Sequence, residues 1–359
     1  MPSRLPDHMP IVDDRVGRGA SPGQYREREL TEPLDLCDQA GRLNREAVGW
    51  SRRPLVRANL TGHRLRKKRW NFWNWLEPGF VFSATLADLD YASLCATFFI
   101  DFETGLASTG TWLGLPGRFD LSEHVDRSIT FETRKVFYEN TVGGDGRTVR
   151  LRAPTREGRR IEAELTVEEP PGQESLNVVV PWSSTRFQLN SKHNTLPTSG
   201  RIRVGDRSYE LDPKRCHAVQ DWGRGVWPRV SFWNWGVCSG VQDGRRIGVN
   251  VGARWTTGTG SNENGIFLDG RLHKVMEDLR WEYDPASDAQ PWRVRSEHSD
   301  ALDLVLSPSF PHRSKTNAGV VRSGGICSFG TWRGRLCVEG EVIEIERLPG
   351  WAEEFAHRW

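Results

Sequence analysis

Three side chains in the second half of the sequence could hold or move a proton: His217, Asp221 and Glu263. Arg224 and Arg254 lie among them and could fix a carboxylate or keep a neighbouring acid ionised. Tryptophans surround the group in sequence: Trp222, Trp227, Trp233, Trp235 and Trp255. Titratable groups among aromatic rings could pass a proton to an apolar substrate and leave it cationic. That step needs an acid kept protonated in an apolar pocket, and aromatic faces stabilise the cation. It requires no metal and no redox cofactor. The candidate catalytic set is therefore Asp221 with Glu263 or His217 as partner, and Arg254 and Asn234 as orienting groups. Candidate ligand contacts are Trp222, Arg224, Trp233, Asn234, Trp235 and Trp255, with Trp73, Asn74 and Trp75 in the first half.

Each of these residues also has a plainer role. Asp221 and Arg224 could form a local ion pair that ties down a loop. Arg254 could stack on Trp255. His217 could be an ordinary core histidine, and Glu263, inside Ser261-Asn262-Glu263-Asn264-Gly265, could be a turn residue. Other chemistries lack their motifs. There is no Gly-x-Ser-x-Gly elbow, no Walker loop and no dinucleotide-binding glycine pattern after a strand. Gly258-Thr259-Gly260-Ser261 lies between strand-like segments rather than before a helix. The six cysteines form no Cys-x-x-Cys pair, and His312 and His357 have no metal-ligand spacing. Reduced thiols in a cytoplasmic protein, with no metal and no cofactor, are expected.

The elements that must position these groups read as strands. Ser128 to Glu139 is β-branched and aromatic, and Gly143-Gly144-Asp145-Gly146 follows it as a hairpin turn. Turn pairs recur at Asp243-Gly244, Asp269-Gly270 and Glu339-Gly340. This spacing predicts meanders that close into barrels or sandwiches. Leu34 to Arg42 reads as a short strand and turn, and the basic run Arg64 to Arg69 as a solvated edge or loop. Gly350 to Trp359 is the best candidate for a short helix, and residues 1–28 read as a disordered arm.

The most specific pattern is a repeat. Phe72-Trp73-Asn74-Trp75 returns as Phe232-Trp233-Asn234-Trp235, an offset too long for a solenoid and suited to a duplicated unit. In a strand, Trp73 and Trp75 share one face and Phe72 and Asn74 the other, and the second copy divides likewise. Only the second copy is preceded by Asp221-Trp222-Gly223; Leu60-Thr61-Gly62-His63 stands before the first. A connector near residues 180 to 200 would give units over 29–185 and 200–359.

Bulk properties narrow the partners. The 16 tryptophans in 359 residues suit large barrel cores or a cavity for a bulky apolar ligand. A net charge of +2 gives no basic excess for nucleic acid. The longest apolar stretch, Tyr91 to Ile100, is too short to span a bilayer as a helix, so no stable membrane insertion is expected.

The paired Phe-Trp-Asn-Trp elements, Gln220-Asp221-Trp222-Gly223-Arg224, Asn262-Glu263-Asn264-Gly265 and the Ala352 to Trp359 ending together resemble the family catalogued as domain of unknown function 2804. That likeness runs from about Glu29 to Trp359. More distantly, six elements resemble the second half of the hydroxyneurosporene synthase (carotenoid 1,2-hydratase) and tocopherol cyclase group. They are Asp221-Trp222-Gly223, Trp233-Asn234-Trp235, Asp243-Gly244, Arg254-Trp255, Glu263-Asn264-Gly265 and Asp269-Gly270. The likeness implies an all-β fold of two tandem lipocalin-like barrels whose enzymes act on prenyl or polyene substrates without redox cofactors. The group's usual Trp-Asp-Trp is Trp-Asn-Trp here, so Asn234 supplies no acid. The expected ligand is an apolar or amphipathic small molecule, such as an acyl, prenyl or polyketide-like chain. The alternative is a non-catalytic lipid-binding, structural or interaction module.

Overall fold

A computed structural model describes residues 26–318 and 321–358. Most of the described residues lie in strands, nearly all of them antiparallel, and the long strands form two curled half-barrel sheets, the arrangement of tandem lipocalin-like barrels. In the first sheet, strands Ala107–Gly114, Ser93–Asp101, Phe80–Asp88 and Lys67–Glu77 run as a meander. His217–Val226 lies beside Lys67–Glu77, followed by Arg186–Val204, Arg160–Glu168, Gly146–Pro154, Phe137–Gly143 and Ile129–Glu132. The second sheet repeats this order. Arg271–Lys274, Gly265–Leu268, Arg245–Ala253 and Val230–Gln242 form the meander. Glu341–Arg358 lies beside it, then Val321–Val338, Leu302–Ala318, Trp292–Ser296 and Leu279–Glu282.

The turn pairs act as their residue types require. Asp243-Gly244, Asp269-Gly270 and Glu339-Gly340 all have positive φ at both positions, from 51° to 86°. At the first hairpin Gly143 pairs with Gly146, so Gly144 and Asp145 form the turn instead of Asp145-Gly146. Ser128 to Glu139 is a hairpin rather than one strand, because Thr133 Oγ1 accepts the Val136 N–H and caps a bend there. Of the basic run, Lys68 is buried, with Nζ donating to Leu89 O and standing 4.7 Å from the Tyr91 ring centre.

Three expectations need correction. The C-terminal segment is not a helix: Glu341–Arg358 is a strand paired on both sides, and its alternation meets neighbours on two faces. The stretch expected as a connector is two strands of the first sheet, Leu176–Ser183 and Arg186–Val204. The chain leaves the first sheet only after Val226, so His217, Asp221, Trp222 and Arg224 all sit on a strand of that sheet. The expected arm falls mostly outside the described residues, but Glu27 is buried against Lys274, with Oε1 2.6 Å from Nζ.

The two Phe-Trp-Asn-Trp copies occupy equivalent places in strand order, each in the first long strand of its meander and beside the closing strand. Their faces are reversed. Trp73 and Trp75 point into the core of the first barrel with Phe82 and Phe99. Trp233 and Trp235 point outward, into the seam between the sheets, while Cys238 on the alternate face enters the second core. A one-residue difference in register exchanges every face of a strand, so the tetrapeptides match in sequence and not in orientation. The seam is apolar and aromatic, with Phe72 5.7 Å from Trp235 and Phe98 stacked on Phe329 at 5.3 Å between ring centres.

Candidate functional site

Lys192 and Asp221 are directly opposed on neighbouring strands, so their side chains leave the first sheet on the same face, toward the seam. Glu263 reaches them from the second sheet. Lys192 Nζ lies 3.0 Å from Asp221 Oδ2 and 3.0 Å from Glu263 Oε2, and 4.0 Å from the Trp235 ring centre. Trp255 Nε1 donates to Glu263 Oε1 at 2.7 Å, and Trp233 Nε1 donates to Glu353 Oε1 at 2.7 Å. Asp221 Oδ1 is buried with no hydrogen-bond partner among the described residues.

The loop that carries Glu263 is fixed on several sides. Asn250 accepts from Trp235 Nε1 at 2.8 Å and donates to Glu263 O at 2.6 Å. Asn264 accepts the Gly252 N–H at 2.8 Å and donates to Glu277 O at 2.9 Å. Glu27 accepts the Asn262 N–H at 3.2 Å. Gly252 lets this loop approach, since a Cβ there would fall 2.2 Å from Glu263 Oε1.

Charge in the cluster is unbalanced: Lys192 pairs with Asp221 and Glu263 and its charge also reaches Glu353, while the buried Lys274 nearby is paired with Glu27. Burial pushes Glu353 up to about 7, against the Trp233 N–H and the Lys192 charge. Burial also raises Glu263, helped by the Asp221 charge and opposed by Lys192 and Trp255. Burial works against the Lys192 charge, but the two carboxylates outweigh it and hold the ammonium above its ordinary range. The cluster can therefore keep an acidic proton near neutrality in an aromatic enclosure, which is what proton transfer to an apolar substrate requires.

Of the residues chosen from sequence, Asp221, Glu263, Trp233, Trp235 and Trp255 meet here. The others do not. His217 shares the Asp221 face but lies four residues away, roughly 13 Å along the strand; burial and then the charge of Arg246 lower it to about 4. Arg254 turns to Glu354, 3.2 Å away, and donates to Tyr283 Oη at 3.0 Å. Asn234, on the opposite face from the tryptophans of its strand, donates to the same Tyr283 Oη at 2.9 Å. Trp222 and Arg224 face away from Asp221, and no Asp221–Arg224 ion pair forms. Asn74 faces out of the first barrel, opposite to Trp73 and Trp75, with Oδ1 unpartnered among the described residues. Sequence reading missed Lys192, Glu353 and Asn250. Lys192 was hidden in the run Asn190-Ser191-Lys192-His193-Asn194, whose five side chains are all polar and show no alternation to mark a strand.

Residues 27–359 match the family model described as a domain of unknown function, DUF2804. The chain belongs to the DUF2804 family. No curated protein matches it in sequence. Two solved structures are similar to this DUF2804 chain. One is CghA with Sch210972, at 12% identity and TM-score 0.48, covering 82% of this chain and 89% of that one. The other is kievitone hydratase from Nectria haematococca, at 10% identity and TM-score 0.46, covering 82% and 89%.

Proposed function

We propose that this protein is a cofactor-independent acid–base catalyst, a hydratase or cyclase, acting on an apolar or amphipathic small molecule in the seam between the sheets. The observation that carries this reading is the excess of carboxyls over cations in a tryptophan-walled cluster whose Glu353 and Trp233 are half-buried. Glu353, protonated up to about 7, is the acid; its proton goes to one carbon of an alkene and leaves a cation on the other. Trp233, Trp235 and Trp255 line that position. In hydration, water adds its oxygen to the cation and gives a proton to a carboxylate, Asp221 or Glu263, so that one water is consumed. In cyclisation, a second double bond captures the cation and the same base removes a proton, so the product is an isomer. Lys192 holds Asp221 in place through their 3.0 Å contact.

A second reading rests on burial. Glu263 is 2% exposed, and Lys192 of the first sheet grips it from across the seam, so the cluster also serves as a clasp. One experiment separates the two. Native mass spectrometry and lipid extraction identify a bound compound class, and candidates of that class are incubated with the protein in D2O. A catalyst introduces solvent deuterium into product, and D221N and E353Q abolish incorporation while remaining folded. Absence of deuterium from every candidate, with both variants binding as wild type does, leaves only the clasp.

A further inference from the structure

The strand that sends Asp221 into the seam sends Arg224 the other way, and there its charge is unanswered. The guanidinium is 1% exposed. Nε donates to Ser122 O at 3.0 Å, Nη1 to Trp70 O at 2.7 Å and Gly223 O at 2.8 Å, and Nη2 to Asn71 Oδ1 at 2.8 Å. The group lies over Trp222, 3.9 Å from the ring centre. Every acceptor is neutral, and four of the five guanidinium N–H donors are used. Among the described residues no carboxylate stands at ion-pair distance. Burial and then the charge of Arg69 push the Arg224 pKa well below its usual range. A buried charge without a counter-charge is strongly unfavourable.

Arg224 and Arg69 border one cavity of about 280 Å³, whose apolar walls include Ala58, Leu60, Phe119 and Leu121. The acids nearby are engaged or peripheral. Asp88 accepts from Ser93 Oγ at 3.0 Å and from the N–H groups of Asp90 at 2.7 Å and Gly117 at 2.5 Å, and lies 3.9 Å from Arg69. Asp120 and Glu123 are exposed at the rim, and Glu123 is 3.8 Å from Arg57. We infer that this cavity binds a small carboxylic acid with an apolar body, its carboxylate between Arg224 and Arg69 and its body against Phe119 and the two leucines. The site stands independently of the acid–base reading, because Arg224 and Asp221 occupy opposite faces of one strand.

The test uses octanoate, octanol and inorganic phosphate as probes of the full chain, read by calorimetric titration and thermal shift. Octanoate should bind and raise Tm, as any ligand of the native state does, while octanol and phosphate should each bind at least about tenfold more weakly. R69Q, at a part-exposed position, should fold normally and weaken octanoate by about tenfold, roughly the worth of one charge-assisted contact. A58F should fill the cavity and abolish binding, with its fold checked by circular dichroism. R224K, which keeps the charge but not the fork, should also weaken binding. Equal binding of octanoate and octanol, a full response to phosphate alone, or octanoate binding unchanged in both R69Q and A58F would each overturn the proposal.

Discussion

Each tryptophan pair of the repeat faces a buried cation held by two carboxylates, yet the two clusters behave differently. In the first barrel Arg147 stands 5.7 Å from the Trp73 ring centre, 2.7 Å from Glu169 and 3.2 Å from Asp126. In the seam Lys192 stands 4.0 Å from Trp235 and 3.0 Å from both Asp221 and Glu263. The carboxylate side chains of the first cluster are 33% and 59% exposed; those of the second are 11% and 2% exposed. Burial works against the Glu169 charge, but Arg147 outweighs it and the carboxyl is held below its ordinary range. Burial prevails at Glu263 and raises it. One cation with two carboxylates thus gives an open ion-pair network in one place and a proton-holding site in the other. Access to water, not the motif, decides which.

The largest effect should come from removing the cations. K192M leaves two carboxyls without their counter-charge in a sealed space and should cost about 3–5 kcal/mol by chemical denaturation. R147M should cost less, about 1–2 kcal/mol, because Asp126 and Glu169 can turn to water. Equal losses would mean that the difference in burial has no energetic consequence.

The clusters should next separate in their pH dependence. Unfolded, Glu353 releases its proton near the ordinary value of 4.5; folded, it keeps it to about 7. Between those values the native state binds more protons, so stability falls as pH rises. E353Q stays neutral and should remove that fall, which is on the order of 3 kcal/mol at most. Glu169 has the opposite sign. Its contribution is present above the ordinary carboxyl range and is lost as pH falls through the lowered folded value, so E169Q should destabilise at neutral pH and little in acid. Denaturation at about pH 4.5, 6 and 7.5 spans the Glu353 window, and further points at about pH 2.5 and 3.5, below the ordinary carboxyl range, reach that of Glu169. An E353Q profile parallel to wild type would show that the seam holds no proton there.

A smaller contrast lies in the indole N–H groups. Trp235 Nε1 donates to Asn250, whereas Trp75 Nε1 has no acceptor among the described residues. Phenylalanine removes the same atoms at either position. W235F also strands Asn250 Oδ1, so it should cost about 1–2 kcal/mol more than W75F. A reversed order, measured by thermal unfolding, would contradict the face assignment of the repeat.

The strands, the three acid–glycine turns and the shared face of Trp233 and Trp235 were legible because each rests on local chemistry: period-two alternation or a positive φ. Register was not legible. The tetrapeptides are identical, and the tilt that turns one pair inward and the other outward is set by strands far away in sequence. Lys192 and Glu353 were missed for the same reason, since their meaning comes from Asp221 across a ladder and from Trp233 two residues diagonally opposite. Gly350 to Trp359 misled because its Trp351, Phe355 and Trp359 have helical spacing, while pairing on both sides makes Gly350 to Arg358 part of a strand.

The smallest expected effect is a response to salt. Screening acts on charges that ions can approach; the Debye length falls from about 10 Å at about 0.1 M to about 3 Å at about 1 M. Asp126 and Glu169 open to solvent, so counter-ions can reach the Arg147 cluster. Glu263 and Lys192 are covered by Trp235 and Trp255, so ions cannot enter without breaking the seam. Raising salt over that range should narrow the stability gap between wild type and R147M by less than about 1 kcal/mol, the usual size of an exposed pair. The gap between wild type and K192M should not move. Salt changes hydrophobic burial as well, but each gap compares proteins that bury nearly the same surface, so that contribution cancels. Parallel denaturant titrations of the three proteins at both salt concentrations supply the measurement. A K192M gap that shrinks as much as the R147M gap would mean that the seam opens to ions, and the sealed cluster would then lose the feature that sets it apart.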